Sequence, residues 1–335
     1  MPSKFLIIQT AFIGDVVLAT GLIEKLHQYF PEAQIDFLVR KGNESLLKEH
    51  PFLQEVLVWD KKRKKIRNLW KLLFQIRSRK YDKVINVQRF AATGLLTAFS
   101  GAKEKIGFDK NPFSRFFNRR IKHIVCRGKD VKHEIERNND LVSHFAGSQF
   151  VKPRLYPSAE DFEFIKQFSN ITYITISPAS VWFTKQFPAG KWISFINKVP
   201  GHIKIYLLGA VPDKNFSDGI RTTANHPSVT NLCGRLSFLQ SAALMKDAIM
   251  NYVNDSAPLH FASAMNAPVT AVYCSTLPAF GFGPTSDNSF IVEIEEELTC
   301  RPCGLHGRKA CPLGHFHCAL KIRDEQLITT LPMPA

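Results

Sequence analysis

Residues 254–262 combine residue types that can bind a phosphate group. They read Asn-Asp-Ser-Ala-Pro-Leu-His-Phe-Ala and follow an apolar run that is typical of a buried strand. A helix that starts just beyond a parallel strand presents free backbone N–H groups and the positive end of its dipole to an anion. Asp255, Ser256, Leu259 and His260 would lie at this helix start. We therefore predict a phosphate site whose ligand also carries hydroxyl groups, as a nucleotide sugar does.

A second turn, at residues 177–188, supplies hydroxyl groups and a cation. It reads Ser-Pro-Ala-Ser-Val-Trp-Phe-Thr-Lys-Gln-Phe-Pro and follows another strand-like run. The hydroxyl groups of Ser180 and Thr184 and the ammonium group of Lys185 suit the neutralisation of a diphosphate leaving group. Alone, the turn could be a capped loop. Together with residues 254–260 in the same half of the chain, it favours a donor-phosphate site.

In the first half of the chain, Asp15 stands at the start of a helix that follows a strand-like run at 5–9. A carboxylate at such a position is either a helix cap or a general base, and capping is the commoner role. We expect Asp15 to titrate with an ordinary pKa of about 3.9. The sequence lacks G-x-G-x-x-G and G-x-x-x-x-G-K-[ST] motifs, which argues against a nicotinamide or P-loop site.

Short apolar runs alternate with helical patterns, as in sheets built from β-α-β units. In a first domain we predict strands at 5–9, 35–39, 56–59 and 84–87, and helices near 16–29, 42–49, 66–78 and 91–99. Residues 150–158 contain two prolines and no periodicity, which indicates a linker. In a second domain we predict strands at 173–177, 203–208, 229–232, 250–253 and 269–273, and helices near 188–198, 213–225, 237–247 and 258–265. The predicted fold class is α/β, with two Rossmann-like, doubly wound domains, 1–152 and 153–335, that face a ligand-binding cleft.

Basic residues are concentrated in the first half of the chain. The net charge is +15, and residues 1–150 hold 28 Lys and Arg against 15 Asp and Glu. Ten of these bases lie between 61 and 80, where apolar residues recur at helical spacing and predict a basic amphipathic helix. Two interpretations stay open: an ordinary crossover helix with solvated lysines, or a surface for an anionic membrane or phosphorylated acceptor through Lys61, Lys62, Lys64 and Lys65. Nucleic acid is not an expected partner, because no nucleic-acid-binding signature accompanies the charge.

Cysteine usage and hydropathy indicate a cytoplasmic protein. Seven cysteines, an odd number in a chain of 335 residues, argue against a disulfide framework. No apolar run approaches the roughly 20 residues of a membrane span, and the N-terminal residues lack the pattern of a signal peptide.

Four cysteines lie close together near the C-terminus, with three histidines among them. Cys300, Cys303, Cys311 and Cys318 could bind zinc or iron as a tetrahedral thiolate set, or they could remain reduced thiols packed into a loop. We expect the four sulfur atoms to converge in one compact segment under either interpretation.

These segments resemble motifs of glycosyltransferase family 9, the lipopolysaccharide heptosyltransferases, and the resemblance covers nearly the whole chain. Gly14-Asp15 with Ala19-Thr20 resembles the first motif, although Gly21 stands where a proline is common. Residues 177–188 resemble the donor-phosphate loop, and 209–213 resemble a glycine turn that ends in an acidic residue. Residues 254–262 resemble an Asp-Ser-Gly-x-x-His-x-Ala motif, with Ala257 in place of the usual glycine. The four cysteines resemble a tail found in part of the family.

The resemblance implies a GT-B fold and an inverting transfer of heptose from ADP-heptose to a phosphorylated lipid A inner-core acceptor, without a required metal. Asp15 would be the catalytic base and Lys185 the catalytic cation. Ser180, Thr184 and residues 256–260 would hold the diphosphate, Asp213 the ribose, and Asp255 or His260 a sugar hydroxyl or phosphate. The enzyme would be peripheral at the inner face of the inner membrane. Transfer from another nucleotide sugar, or a catalytically idle nucleotide-binding module of envelope assembly, is the alternative.

Overall fold

The computed structural model describes residues 2–127 and 130–332, which form two compact units, Met1–Tyr156 and Pro157–Ala335. Each unit is a parallel sheet with helices between its strands, as the alternation of patterns predicts. The division at Tyr156 falls inside the predicted linker, a few residues beyond the predicted boundary at 152.

The first unit contains six parallel strands in the order β3-β2-β1-β4-β5-β6. The strands are β1 Lys4–Ile8, β2 Gln34–Arg40, β3 Glu55–Trp59, β4 Lys83–Asn86, β5 Glu104–Phe108 and β6 Arg119–Ile121, followed by the short antiparallel pair β7 Cys126–Arg127 and β8 Asp130–Val131. The helices are α1 Ile13–Tyr29, α2 Lys65–Arg79, α3 Ala91–Ala98, α4 Glu134–Asp140 and α5 Ser143–Ala146.

The second unit repeats this order as β11-β10-β9-β12-β13-β14, again with every pair parallel. Its strands are β9 Tyr173–Ser177, β10 Lys204–Leu207, β11 Val229–Asn231, β12 Met250–Asn254, β13 Val269–Tyr273 and β14 Ser289–Glu293. Its helices are α6 Ala159–Ser169, α7 Ala189–Ile196, α8 Lys214–Thr223, α9 Phe238–Asp247, α10 Ala257–Ala264, α11 His317–Leu320 and α12 Asp324–Ile328.

The strand order reverses direction between β1 and β4 in the first unit and between β9 and β12 in the second. In open parallel sheets, ligands bind beyond the carboxyl ends of the strands at such a switch point. Asp15 follows β1, and the turns at 177–188 and 254–260 follow β9 and β12. The topology therefore places the predicted site residues where this fold binds ligands.

Hydrophobic burial fixes both sheets. Every residue of β9, β12 and β13 is buried, as expected for central strands covered by helices on both faces. In the second unit, Trp192 on α7 packs edge-on against Phe187, and Phe195 lies against Tyr252 of β12. These contacts anchor the turn after β9 to the core.

The predicted helix at 42–49 is wrong. The segment holds only a 3₁₀ turn at Glu44–Leu46, preceded by Gly42 with a φ of +98°. Hydrogen bonds between residues three apart, such as that from Leu46 N–H to Asn43 O, close the turn in place of the i to i−4 bonds of an α-helix. Strands β5, β6 and β14, which are short or lie towards sheet edges, were not predicted. Helix α6, which Ser158 caps by accepting from the N–H of Asp161, was not predicted either.

The end of the first unit is bound to α1. The N–H of Arg154 donates to Thr20 Oγ1 at 3.0 Å, and the Tyr156 hydroxyl donates to Glu24 at 2.9 Å. A Cβ at Gly21 would lie 2.5 Å from Val151 O, so the chain requires glycine where α1 contacts this segment. No helix in the described ranges is long and apolar enough to cross a membrane.

Candidate donor site and acceptor turn

Lys185 and Asp255 form a partly buried ion pair in the second unit. Lys185 Nζ lies 2.7 Å from Asp255 Oδ2, with 15% and 7% of the two side chains exposed. Asp255 also accepts a hydrogen bond from Thr276 Oγ1 at 2.6 Å. The predicted catalytic cation is thus held in place by a carboxylate that itself belongs to the predicted phosphate site.

Asn254, which the sequence analysis did not single out, organises the turn after β9. Its side-chain oxygen accepts from Phe187 N at 2.9 Å, and its Nδ2 donates to Pro178 O at 2.9 Å and Ser177 O at 3.3 Å. The sequence signal for this role of Asn254 was an amide at the end of an apolar run, directly before Asp255. Asn254 therefore ties together the two turns that carry the predicted phosphate ligands.

The start of α10 offers fewer backbone donors than the sequence suggests. Pro258 has no N–H, and Leu259 N donates to Ser256 O at 3.1 Å while its side chain is fully buried. The backbone N–H groups of Ser256 and Ala257 precede the first bonds of the helix and are the ones suited to an anion. Leu259 is thereby a core residue, and its predicted contact with the donor loses support.

The hydroxyl group of Thr184 takes part in hydrogen bonds within the protein. Only 1% of its surface is exposed, and its hydroxyl accepts from Ser275 Oγ at 2.9 Å and from Arg308 N at 2.7 Å. Its predicted contact with the donor stays a prediction, but this geometry gives the hydroxyl a structural task. Ser180, in contrast, is only half-buried, and its backbone N–H donates to Gln186 Oε1 at 3.1 Å.

Asp213 lies after the end of β10, and His260 lies in the helix that follows β12. Asp213 follows β10 and accepts from Ala210 N at 2.8 Å, which leaves carboxylate capacity for a second donor. The turn at Gly234 packs closely on Val211, two residues before Asp213, because a Cβ at Gly234 would lie 2.7 Å from Val211 Cγ2. His260 lies on α10 with 5% exposure.

Asp15 lies in the first turn of α1. Its Oδ2 accepts from Phe12 N at 3.1 Å, so it does act as a cap. Burial, together with the nearby carboxylate of Glu134, raises the pKa of the Asp15 carboxyl to about 6, against opposing contributions from the Phe12 N–H and Arg40. The expected ordinary pKa is therefore wrong, and a pKa of about 6 suits a general base at neutral pH better.

The turn before Asp15 is held by side chains from three other segments. Thr10 Oγ1 donates to Gln88 Oε1 beyond β4 at 2.6 Å, and Asn43 Nδ2 donates to Ala11 O at 3.2 Å. Lys61 Nζ donates to Thr10 O at 2.7 Å and lies 4.8 Å from the centre of the Trp59 ring. Burial, with Arg40 and Lys65 nearby, lowers the pKa of Lys61 to about 8. Lys61 thus belongs to the Asp15 turn and differs from the exposed Lys62, Lys64 and Lys65.

Helix α2 has two distinct apolar faces. Leu72, Leu73 and Ile76 are buried against the sheet. Ile66, Trp70 and Phe74, spaced four residues apart on another face, remain 72%, 49% and 66% exposed. The predicted basic helix is confirmed, and its exposed aromatic face exceeds what a solvated crossover helix requires.

The C-terminal cysteines lie near one another. Burial, together with the neighbouring Cys303, Cys311 and Cys300, raises the pKa of the Cys318 thiol to about 11. This proximity agrees with the predicted local cluster. Within the described ranges, however, no group of three or more His, Cys, Asp or Glu side chains is arranged to hold a metal ion. Metal binding therefore stays a prediction without geometric support.

Comparisons with known proteins identify the family of the chain. A model of glycosyltransferase family 9 (heptosyltransferase) matches residues 69–312. Lipopolysaccharide heptosyltransferase 3 of Escherichia coli is 27% identical over 296 residues, which cover 83% of this chain and 85% of that protein. The lipopolysaccharide core heptosyltransferase OpsX of Haemophilus influenzae is 24% identical, with coverage of 98% and 94%.

The solved structure of E. coli ADP-heptose LPS heptosyltransferase II resembles this chain with a TM-score of 0.79 at 20% identity, covering 98% of this chain and 97% of that one. Such a likeness shows the fold, and the predicted GT-B class is confirmed. The family model spans well over half of the sequence. The chain therefore belongs to glycosyltransferase family 9, the heptosyltransferase family, and is a glycosyltransferase.

Proposed function

We propose that this protein transfers heptose, with inversion, from ADP-heptose to the phosphorylated inner core of a lipid A acceptor. The observation that carries the proposal is the Lys185–Asp255 pair at the β9/β12 switch point of a family 9 chain. The names of the relatives supply the sugar, the activating nucleotide and the lipopolysaccharide acceptor.

The departing diphosphate is bound by the second unit. Lys185 has three ammonium hydrogens, so it can donate to Asp255 and to a phosphate oxygen together. Ser180 and the first backbone N–H groups of α10 add neutral donors, which stabilise charge that grows as the glycosidic bond breaks. Asp213 binds the ribose hydroxyls. Asp255 and His260 line the pocket for the sugar.

Asp15 accepts the proton of the acceptor hydroxyl as that oxygen attacks the anomeric carbon. With a pKa of about 6, the carboxylate is mostly ionised at neutral pH and is a stronger base than an ordinary aspartate. The hydrogen bond from Phe12 N fixes one carboxylate oxygen and leaves the other for the substrate. Base and leaving-group stabilisation together satisfy the needs of an inverting displacement, so the mechanism assigns no step to a metal.

The acceptor is recruited through α2 and the residues before it. Lys62, Lys64 and Lys65 are exposed, and the stretch from 61 to 81 contains no acidic residue. Near an anionic surface each base contributes about 1 kcal/mol to binding. The exposed Trp70 and Phe74 suit insertion at the level of the lipid headgroups. We infer a cytoplasmic enzyme that binds peripherally to the inner membrane.

Thermal shift measurements with ADP, UDP and GDP test the donor directly. ADP should raise the melting temperature most, and the rise should be lost in Lys185→Ala. A larger shift with UDP or GDP would favour another nucleotide sugar. ADP binding without any transfer to acceptor would favour the catalytically idle module.

A further inference from the structure

The C-terminal segment 301–308, which includes one of the four tail cysteines, is bound to the turn that carries Lys185. Thr184 N donates to Arg308 O at 3.1 Å, and Arg308 N donates back to Thr184 Oγ1 at 2.7 Å. These reciprocal bonds join the residue directly before Lys185 to the C-terminal segment. Because Thr184 is buried, its side of both bonds is shielded from water.

Gly307 packs on the side chain of Lys185 itself. A Cβ at Gly307 would lie 2.9 Å from Lys185 Cγ and 3.0 Å from Thr184 Oγ1. The backbone at Gly307, with a φ of +74°, therefore forms a wall against the aliphatic part of Lys185. Any larger residue would displace that lysine or the segment.

The same segment also binds Ser275 and Thr276, which contact Thr184 and Asp255. Cys303 N donates to Ser275 O at 2.9 Å, and Arg301 Nη2 donates to Thr276 O at 2.8 Å. Ser275 Oγ donates to Thr184, and Thr276 Oγ1 donates to Asp255, the partner of Lys185. Both the stem of Lys185 and its carboxylate partner are thus fixed by one stretch of chain.

We propose that segment 301–308 is a positioning element of the donor site, with Thr184 and Gly307 as positioning residues that act through Lys185. The inference rests on the proposed role of Lys185 in diphosphate binding. A flexible lysine on an exposed 3₁₀ turn would lose rotamer freedom on binding the donor, whereas a lysine already fixed by its neighbours avoids that cost. The C-terminal segment thereby has a function that needs no metal.

A double-mutant cycle on ADP binding tests this inference. Thr184→Val keeps the shape of the side chain and removes the hydroxyl acceptor, so it should weaken ADP binding about tenfold, and Thr184→Ser should restore it. In a Lys185→Ala background, Thr184→Val should have no further effect. An equal loss in both backgrounds, or no loss in either, would overturn the positioning role.

Two glycine variants provide a matched control. Gly307 and Gly314 both have positive φ, at +74° and +71°, so alanine strains the backbone similarly at each, and Gly314 lies outside segment 301–308. Only at Gly307 does the added Cβ contact Lys185, because a Cβ at Gly314 has nothing within 4 Å. Gly307→Ala should weaken ADP binding and Gly314→Ala should not. Equal effects of the two substitutions would contradict the inference.

A readout without nucleotide separates this inference from the proposed function. In the parent protein, Lys185 should be acylated more slowly than the more exposed Lys198, as measured by mass spectrometry with an amine-reactive ester. Thr184→Val and Gly307→Ala should accelerate acylation of Lys185 and leave Lys198 unchanged. Unaltered Lys185 reactivity would overturn the positioning role, whereas absence of ADP binding by the parent would overturn the proposed donor.

Discussion

Lys185 Nζ lies 2.7 Å from Asp255 Oδ2, and this contact joins the turn after β9 to the residue after β12. The donor site therefore contains a cation that is already paired. Removing one member of a buried pair leaves the other charge uncompensated, which destabilises the fold as well as the site. Mutational tests of Lys185 must separate these two effects.

Lys185→Ala should weaken ADP binding about 10- to 100-fold, the range for a hydrogen bond to a charged group. Titration calorimetry measures this affinity. The variant should also melt earlier, because Asp255 loses its cation. Combining Lys185→Met with Asp255→Asn should recover the melting temperature without recovering affinity. Lys166→Ala, which removes an exposed pair with Glu163, is the control and should change neither quantity.

The pH dependence of turnover should report Asp15. Because its pKa is about 6, the carboxylate becomes protonated below that pH and can no longer accept a proton. We expect kcat/KM to fall about tenfold per pH unit on the acidic side. A profile that stays flat down to the range of an ordinary aspartate would show that Asp15 is not the base.

Asp15→Asn should reduce turnover about 10²- to 10⁴-fold and leave ADP affinity unchanged. The folded-state pKa lies above the unfolded value, so the stability contributed by the proton is present below about 3.8 and is lost as pH rises through about 6. At neutral pH the ionised carboxylate therefore destabilises the fold, and Asn should keep or raise the melting temperature. A variant that merely unfolds would identify Asp15 as a structural cap.

Changing Lys62, Lys64 and Lys65 to Ser should reduce binding to anionic vesicles and to phosphorylated acceptor, with ADP affinity intact. Lys198, Lys214 and Lys321, all partly exposed in the second unit, provide a matched triple Ser control. Lys61 is changed separately, since its ammonium binds Thr10 O.

Trp70 emission should shift to the blue on vesicle binding, and the shift should vanish in Trp70→Phe. Equal vesicle and acceptor binding by the parent and by the Lys62, Lys64 and Lys65 variant would show that α2 is an ordinary crossover helix.

The C-terminal thiols should react at different rates. Burial raises the pKa of Cys318 to about 11, so it should be alkylated much more slowly than the half-buried Cys300 and Cys311. Peptide mass spectrometry resolves the four sites. Elemental analysis of protein purified without chelator should find at most one metal atom per chain. Protection of all four thiols together with one zinc or iron atom would support a metal site. Four reactive thiols without metal would contradict metal binding by the cysteines.

The sequence predicted the central strands and the positions of the site turns because their signals are local. Fully buried, mostly apolar strands such as β9 and β13 match their predicted bounds to the residue. The edge strands β3 and β11 were predicted as well, whereas the opposite edge strands β6 and β14 were missed, because their pairing depends on neighbours that periodicity does not reveal.

Side-chain roles were harder to predict than positions. Thr184 and Lys185 are adjacent in sequence, yet one bonds to Arg308 and the other to Asp255, each a contact across a long stretch of chain. Likewise, the raised pKa of Asp15 comes from burial and from Glu134, which lies far away in sequence. Only the folded chain reveals such partners.

Acceptor-dependent release of ADP from ADP-heptose tests the central claim most directly. The purified parent should release ADP and transfer one heptose to a heptose-deficient lipid A core, as followed by a coupled ADP assay and mass spectrometry of the acceptor. The Asp15→Asn variant should bind ADP as the parent does, but its rate of ADP formation from ADP-heptose should be at least about 100-fold lower. No transfer by the parent from ADP-heptose, alongside transfer from another nucleotide sugar, would contradict the account.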